Sequence, residues 1–395
     1  MKPVNILSCL CMLAFVVSTL FMSTAAGHAE PWVPCGTWSN VISPNPASTY
    51  DVLYSVSAVS ARSVWAVGVS INFTDHTSKT LVEHWDGKAW SIIPSADILG
   101  QPDSLSGVAA INDQNVWAVG SFSYTPPVRG SETMIEHWDG KAWRIVPSPG
   151  PTSSVWRGVT ALSSQNIWAV GSVFQWDTNT SQTLSGHSDG TSWGLTRSPN
   201  PGSKINALSG VAAASGGDVW AVGYSNNLDD SVIRSLIEHW DGTQWSVVNS
   251  PNRDPADTLL SGVAALSSRS AWAVGAGLGA LIEHWNGTKW SIVKSPTTGA
   301  SLRGVAALSE QDVWAVGDSF DPKKRANQTL IEHWDGSQWS IVKSPNRDDT
   351  TIRSSNNSLF GVTRVPHTKG IWGVGSYDTS TNPPLHQTLT QFYCP

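Results

Sequence analysis

The chain has 395 residues, of which only 14% are charged and 22 are tryptophan, and its formal net charge is −6. An acidic balance excludes a general nucleic-acid binder, which needs a basic face. So little charge with so much Trp, Gly and Pro excludes a set of long solvated helices and fits short buried strands joined by tight turns.

The first element in chain order is an export leader. Lys2 supplies a positive start, an apolar stretch runs from Val4 to Met22, and small residues follow to Ala29. Gly27 and Ala29 suit the −3 and −1 positions of a cleavage site, so residues 1–29 read as a signal peptide. Retention as a membrane anchor is the alternative, because the apolar stretch is almost long enough to span. Cys9 and Cys11 fall inside the leader, too early for lipid attachment, which leaves Cys35 and Cys394 in residues 30–395. Two cysteines after an export signal predict one disulfide in an oxidising compartment.

Next comes a segment from Gly36 to Asn45, centred on Trp38 and ending Ser43-Pro44-Asn45. Beyond it the chain is repetitive. The motif Trp-Ala-Val-Gly starts at Trp65, Trp117, Trp168, Trp220, Trp272 and Trp314, and Trp-Gly-Val-Gly starts at Trp372. Around each anchor four segments recur. The first is short and small-residued, as from Leu302 to Leu308, and the second carries the anchor. The third reads Leu-Ile-Glu-His-Trp-Asp-Gly, as at Leu330 to Gly336, and the fourth begins with Trp and ends in Ser-Pro, as at Trp339 to Pro345. Each has strand composition and turn punctuation, and the Asp-Gly predicts a hairpin between the third and fourth strands. Four antiparallel strands repeated seven times at about fifty residues predict an all-β, seven-bladed β-propeller.

Only six anchors are followed by a fourth-strand Trp: Trp90, Trp143, Trp193, Trp245, Trp290 and Trp339. After Trp372 the chain gives a third strand ending at Cys394 and stops. The segment holding Trp38 supplies the missing fourth strand, so the N-terminal strand is expected to complete the last blade and close the ring. Cys394 then takes the place of Asp335, and Cys35 that of Gly336. The disulfide would join the chain ends at one hairpin turn.

The repeated Glu-His-Trp-Asp invites a catalytic reading, since its residues are general acids and bases. A residue present in nearly every blade builds no single site, however. His84, His137, His187, His239, His284 and His333 are expected to be structural, bonding a neighbouring strand or turn between packed blades. The repeated Trp residues are expected to pack blade to blade. Blade three departs from the pattern at Gly186-His187-Ser188, with Trp156 and Trp176 as extra tryptophans that either fill the vacated volume or present an aromatic platform.

Function should sit where the repeat is broken. The residue before the conserved small position of each first strand is, in order, Tyr54, Ser106, Arg157, Ser209, Ser261, Arg303 and Phe360. Such strands line the central channel of a propeller, so Tyr54, Arg157, Arg303 and Phe360 are candidate ligand-binding residues at its mouth, suited to an anionic or sugar-like ligand. The plainer reading is that they plug or salt-bridge the mouth. Loops between second and third strands vary too, as around Asp75 and His76, Phe174 to Trp176, and Asp318 to Asp321. No zinc, calcium or phosphate-binding motif is present, so no metal or cofactor is expected. Lys323-Lys324-Arg325, Asp229-Asp230 and Asp348-Asp349 read as solvated loops. Asn72, Asn179, Asn286, Asn327 and Asn356 begin glycosylation sequons.

The repeat resembles the kelch and galactose-oxidase class of propellers, with four strands and a late-blade Trp. It is still more similar to a group of secreted bacterial proteins built from the same Val-Trp-Ala-Val-Gly and Glu-His-Trp-Asp-Gly units, over Cys35 to Pro395. The copper-oxidase function of the first class is not implied, because its cysteine–tyrosine cross-link has no counterpart. Asp-Gly-x-x-Trp is similar to a sialidase Asp-box with the Asp displaced by one position. The sequence therefore predicts a secreted, monomeric, non-enzymatic binding or scaffold protein with a glycan or protein ligand on one propeller face. The alternative is a polysaccharide hydrolase or lyase with its active site at the channel mouth, using Arg157 or Arg303 and a lone acid or histidine; His367 and His386, outside the repeat, are the loose candidates for the latter.

Overall fold

The computed structural model describes residues 35–46, 49–98, 100–124, 130–252, 256–347, 355–379 and 385–395. Residues 1–29, expected to be a leader, lie outside these residues, as do Asp348 and Asp349. Among the described residues every regular element is a strand, 28 in all, arranged in six sheets. Five sheets have four strands. The sixth has eight and consists of two groups of four joined by one parallel bridge, Tyr50 to His386. Each group of four is a blade, numbered in the order of the anchor tryptophans. The fold is a β-propeller.

The second strand of each blade is a continuous apolar run because it is covered everywhere. Val219, Trp220, Ala221 and Val222 are all buried, and so are their counterparts in the other blades. A strand hidden on both faces shows no alternation. The first strand alternates instead and buries one large residue: Leu53, Leu105, Trp156, Leu208, Leu260, Leu302 or Leu359. Directly after that residue the register slips by one in every blade, between Leu208 and Gly210 for example and between Leu302 and Gly304. This is a β-bulge, which adds an unpaired residue and re-aims it. The anchor Gly lies opposite the buried leucine and makes room for the bulge. A Cβ on Gly223 would stand 2.0 Å from the carbonyl oxygen of Ala207, and one on Gly317 would stand 1.9 Å from that of Ser301.

The strand Thr37–Val41 pairs antiparallel with His386–Cys394, with Trp38 opposite Tyr393. Trp339 faces Trp334 in the same way in blade six. The expected fourth strand of the last blade is thus in place. Cys35 and Cys394 form a disulfide with Cα atoms 4.7 Å apart. Where other blades have a continuous turn, the Asp carboxylate caps it: Asp335 Oδ1 accepts from the Ser337 and Gln338 amides at 2.8 and 2.9 Å.

Adjacent blades meet through tryptophan. Of the seven anchors, Trp117 meets only the fourth-strand Trp193 of the next blade, at 5.8 Å, because blade three has Ser188 in the third strand. The other six pack against the third- and fourth-strand aromatics of the next blade, as Trp220 does against Trp285 at 5.0 Å and Trp290 at 5.2 Å. The same contact joins blade six to blade seven, Trp314 with Tyr393 and Trp38 at 4.7 and 5.7 Å. It also joins blade seven to blade one, Trp372 with Trp85 and Trp90 at 5.0 and 5.1 Å. Edge-to-face and tilted pairs at these distances add to the area they bury.

Candidate functional site

The histidines of the repeat do not reach between blades. Each stacks on the anchor Trp of its own blade, His239 on Trp220 at 4.3 Å for instance. Its Nε2 bonds a side chain at the start of the adjacent second strand, Asp218 at 2.8 Å, Asp312 at 2.9 Å or Asn115 at 2.9 Å. The structure corrects the expectation of an inter-blade bond, because cross-strand pairing places His beside its own anchor. Burial lowers the pKa of His84, His137, His187 and His284, which keeps these rings neutral.

It is the glutamate that crosses the seam. A serine at the end of one blade donates to the glutamate of the next: Ser198 and Ser295 of Ser-Pro endings to Glu238 at 2.6 Å and Glu332 at 2.8 Å, and Ser95, which follows Pro94 instead, to Glu136 at 2.7 Å. The five glutamates of the motif are fully buried. Burial pushes the carboxyls of Glu83 and Glu238 up to about 8 and that of Glu136 to about 7, and it raises Glu332 as well. Blades three and seven carry neutral substitutes. Gln391 accepts from Ser344 at 2.9 Å. Gly186 leaves room for Trp156, whose indole N–H donates to Ser148 at 3.0 Å. Trp156 therefore fills the vacated volume and replaces the missing partner at once.

These acids set a pH dependence. Their folded pKa is raised, so the folded state holds more protons than the unfolded one between about 4.5 and 8, and stability falls as pH rises through that window. The lowered histidines act in the opposite sense, but only below about 6.5. Between pH 6.5 and 8 the acids act alone. The urea midpoint is expected to fall over that range, and Glu238→Gln, which mimics the neutral acid, should remove about 1–2 kcal/mol of the loss. An unchanged slope in that variant would show that Glu238 is ionised in the folded state.

The seven candidate positions at the channel are the seven bulge residues. Tyr54, Ser106, Arg157, Ser209, Ser261, Arg303 and Phe360 line one concavity of about 200 Å³. Tyr54 and Phe360 touch edge to face at 5.8 Å, and burial with Tyr50 beside it raises the Tyr54 hydroxyl pKa. Arg303 lies over the Phe360 ring at 5.2 Å and its Nε donates to Asp318 at 2.7 Å. The plainer reading holds for this arginine, which is already paired. Arg157 differs. Both arginines are exposed, but among the described residues no carboxylate pairs with Arg157. It also borders a second cavity of about 390 Å³ that includes Lys204, Phe174, Tyr224 and Asn179. Sequence reasoning missed Lys204, whose place beside Arg157 depends on the packing of blade four against blade three. The occupation of Arg303 was visible in principle, because Asp318 is the lone acid directly after an anchor Gly.

Trp176 is 57% exposed. Its edge meets Phe174 at 4.8 Å and its indole N–H donates to Ser153 at 2.7 Å. Of the two readings for the extra tryptophans, Trp156 takes the filling role and Trp176 the exposed one. His367 and His386 lie at opposite ends of the strand Ile371–Asp378. Eight residues of strand separate them, about 25 Å at the usual rise, so they cannot serve one catalytic centre. His386 is bonded to Asp378 at 2.8 Å and packs on Tyr50 at 4.5 Å. Among the described residues no group of three or more His, Cys, Asp or Glu is placed to hold a metal ion.

No protein-family model matches the chain, and no curated protein matches it. Solved structures do. One, described as YCF48 bound to D1 peptide, is similar at a TM-score of 0.55 and 14% identity, over 92% of this chain and 97% of that one. YCF48 from Cyanidioschyzon merolae is similar at a TM-score of 0.51 and 14% identity, over 90% of this chain and 99% of that one. At such identity the likeness is one of fold: the chain shares the β-propeller architecture of those structures.

Proposed function

We propose that the protein is an exported, non-enzymatic, seven-bladed propeller, closed as a ring by the strand Thr37–Val41, that holds a protein ligand against one end of its blades. The observation that carries this reading is a crown of apolar residues. Phe73, Trp176, Leu228 and Leu278 sit at the turn between the second and third strands of four blades and Phe320 next to that turn in a fifth, and they are 57% to 76% exposed. Large apolar side chains repeated at one end mark an interaction surface. The neighbouring structure described as bound to a D1 peptide supports a protein ligand on this architecture. The Cys35–Cys394 disulfide supports an oxidising compartment. A leader of residues 1–29, a monomeric propeller of residues 30–395 and a place in the kelch and galactose-oxidase class belong to the same reading.

The test is site-specific photo-crosslinking in cells that make the protein. A benzophenone side chain at Trp176 or Phe320 is expected to capture one discrete protein. The same group at Ile145 or Val247, exposed on outer strands, is expected to capture none. Equal capture from both sets, or none from either, would remove the crown as the docking face. Arg157→Ala should leave the urea midpoint unchanged. Arg303→Ala should cost about 1–3 kcal/mol of stability, because it leaves the buried Asp318 carboxylate without its partner. Equal stability of the two variants would mean that the Arg303 pair contributes nothing to the fold.

A further inference from the structure

Blades three and six hold an internal comparison. Each has an arginine at the bulge of the first strand, Arg157 and Arg303, and each arginine is two residues beyond the partner of the position that follows the anchor Gly. In blade six that position is Asp318, which receives the Arg303 Nε at 2.7 Å. In blade three it is Ser172, paired with Val155 in the same register. The arginine is repeated and its carboxylate is not. Arg157 and Ser172 line, together with Lys204, the cavity of about 390 Å³. Among the described residues neither cation has an ion-pair partner. Blade six shows what Arg157 accepts, a carboxylate in the place of Asp318, and blade three leaves that carboxylate to be supplied from outside.

The rest of the lining describes what carries it. Ser131 and Ser181 donate their hydroxyls to the Ser154 and Asn206 carbonyls and keep lone pairs to accept hydrogen bonds. Phe174 and Tyr224 line the same cavity, with Trp176 against Phe174 at its rim. Hydroxyl acceptors beside aromatic faces suit a polyhydroxylated ring, whose C–H faces pack on aromatics while its hydroxyls are bonded. A glutamate side chain would satisfy Arg157 but leave those acceptors unmatched, which a site built on hydrogen bonds disfavours. We propose that this cavity binds a uronic-acid residue, its carboxylate on Arg157 and Lys204 and its ring among the hydroxyls and aromatics. The inference does not depend on the protein-docking reading.

The test is calorimetric titration of the oxidised protein with digalacturonate and diglucuronate at low salt, against neutral galactobiose and a triglutamate peptide. The protein is made in a host without N-glycosylation, because Asn179 lines the cavity and begins a sequon. A disaccharide uronate should bind at least about 10-fold more tightly than the neutral sugar and the peptide. Ser172→Asp rebuilds the blade-six pair in blade three. It should leave the unfolding midpoint unchanged or higher and weaken uronate binding by about 10- to 100-fold. If that variant does not fold, Arg157→Gln carries the same expectation. Absence of uronate binding by the folded protein, equal binding of the neutral sugar, tighter binding of the peptide, or full binding by folded Ser172→Asp would each overturn the proposal. None of these outcomes bears on crosslinking at the apolar crown, so the two readings fail separately.

Discussion

Replacing Cys35 and Cys394 together by serine is expected to lower the unfolding free energy by about 5 kcal/mol, the largest single effect in the molecule. The bridge spans 359 residues of sequence, and the entropy gained by an unfolded chain on release of so long a loop sets that upper figure. Without the bridge the strand Thr37–Val41 is held by its ladder to His386–Cys394 and by the burial of Trp38. A five-residue strand held only in that way opens before the rest of its sheet. Paired urea titrations of the oxidised and serine forms measure the loss. Equal midpoints would mean that the ladder and Trp38 hold the ends unaided. Loss of protection from hydrogen exchange confined to Trp38 to Val41 and Thr390 to Tyr393 would show local fraying.

The second large effect is expected at the anchor glycine. Gly223→Ala puts a methyl group 2.0 Å from the Ala207 carbonyl oxygen, and the obstacle is backbone on a fully buried strand. No rotamer relieves it. The bulge must open or the first strand must separate, at a cost of about 4 kcal/mol or more. Gly373→Ala is the control, because a Cβ there meets only side-chain atoms at 3.4 Å and beyond. That substitution also restores the Trp-Ala-Val-Gly found in the other blades, so it should be nearly neutral. Thermal unfolding of the two variants decides the matter: similar midpoints would refute the bulge as the reason for the glycine.

The strand inventory and the placement of Trp38 in the last blade were legible because each strand carries its own punctuation and each fourth strand starts with Trp. The two cysteines were legible for the same reason, since they occupy the aligned positions of Asp335 and Gly336. Positions at the mouth were also legible, as the residues that vary beside a small one, glycine in six blades and Ser55 in blade one. Contacts made across strands were not. The bond from Arg303 to Asp318 spans a hairpin, and the placing of Arg157 and Lys204 on one cavity depends on how two blades pack. Glutamate was read together with histidine as one motif. Only burial separates them, one bonded to the next blade and the other to its own.

The bulge also explains how one fold can carry an irregular mouth. Tyr54, Ser106, Arg157, Ser209, Ser261, Arg303 and Phe360 stand outside the ladder register. Their side chains are therefore not needed to specify strand pairing, whereas the residues on either side are. Seven freely exchangeable positions are thereby mounted on a frame that tolerates almost no exchange. Selection, or a designer's library, can rewrite the recognition surface of such a molecule one letter at a time while the frame stays as it is.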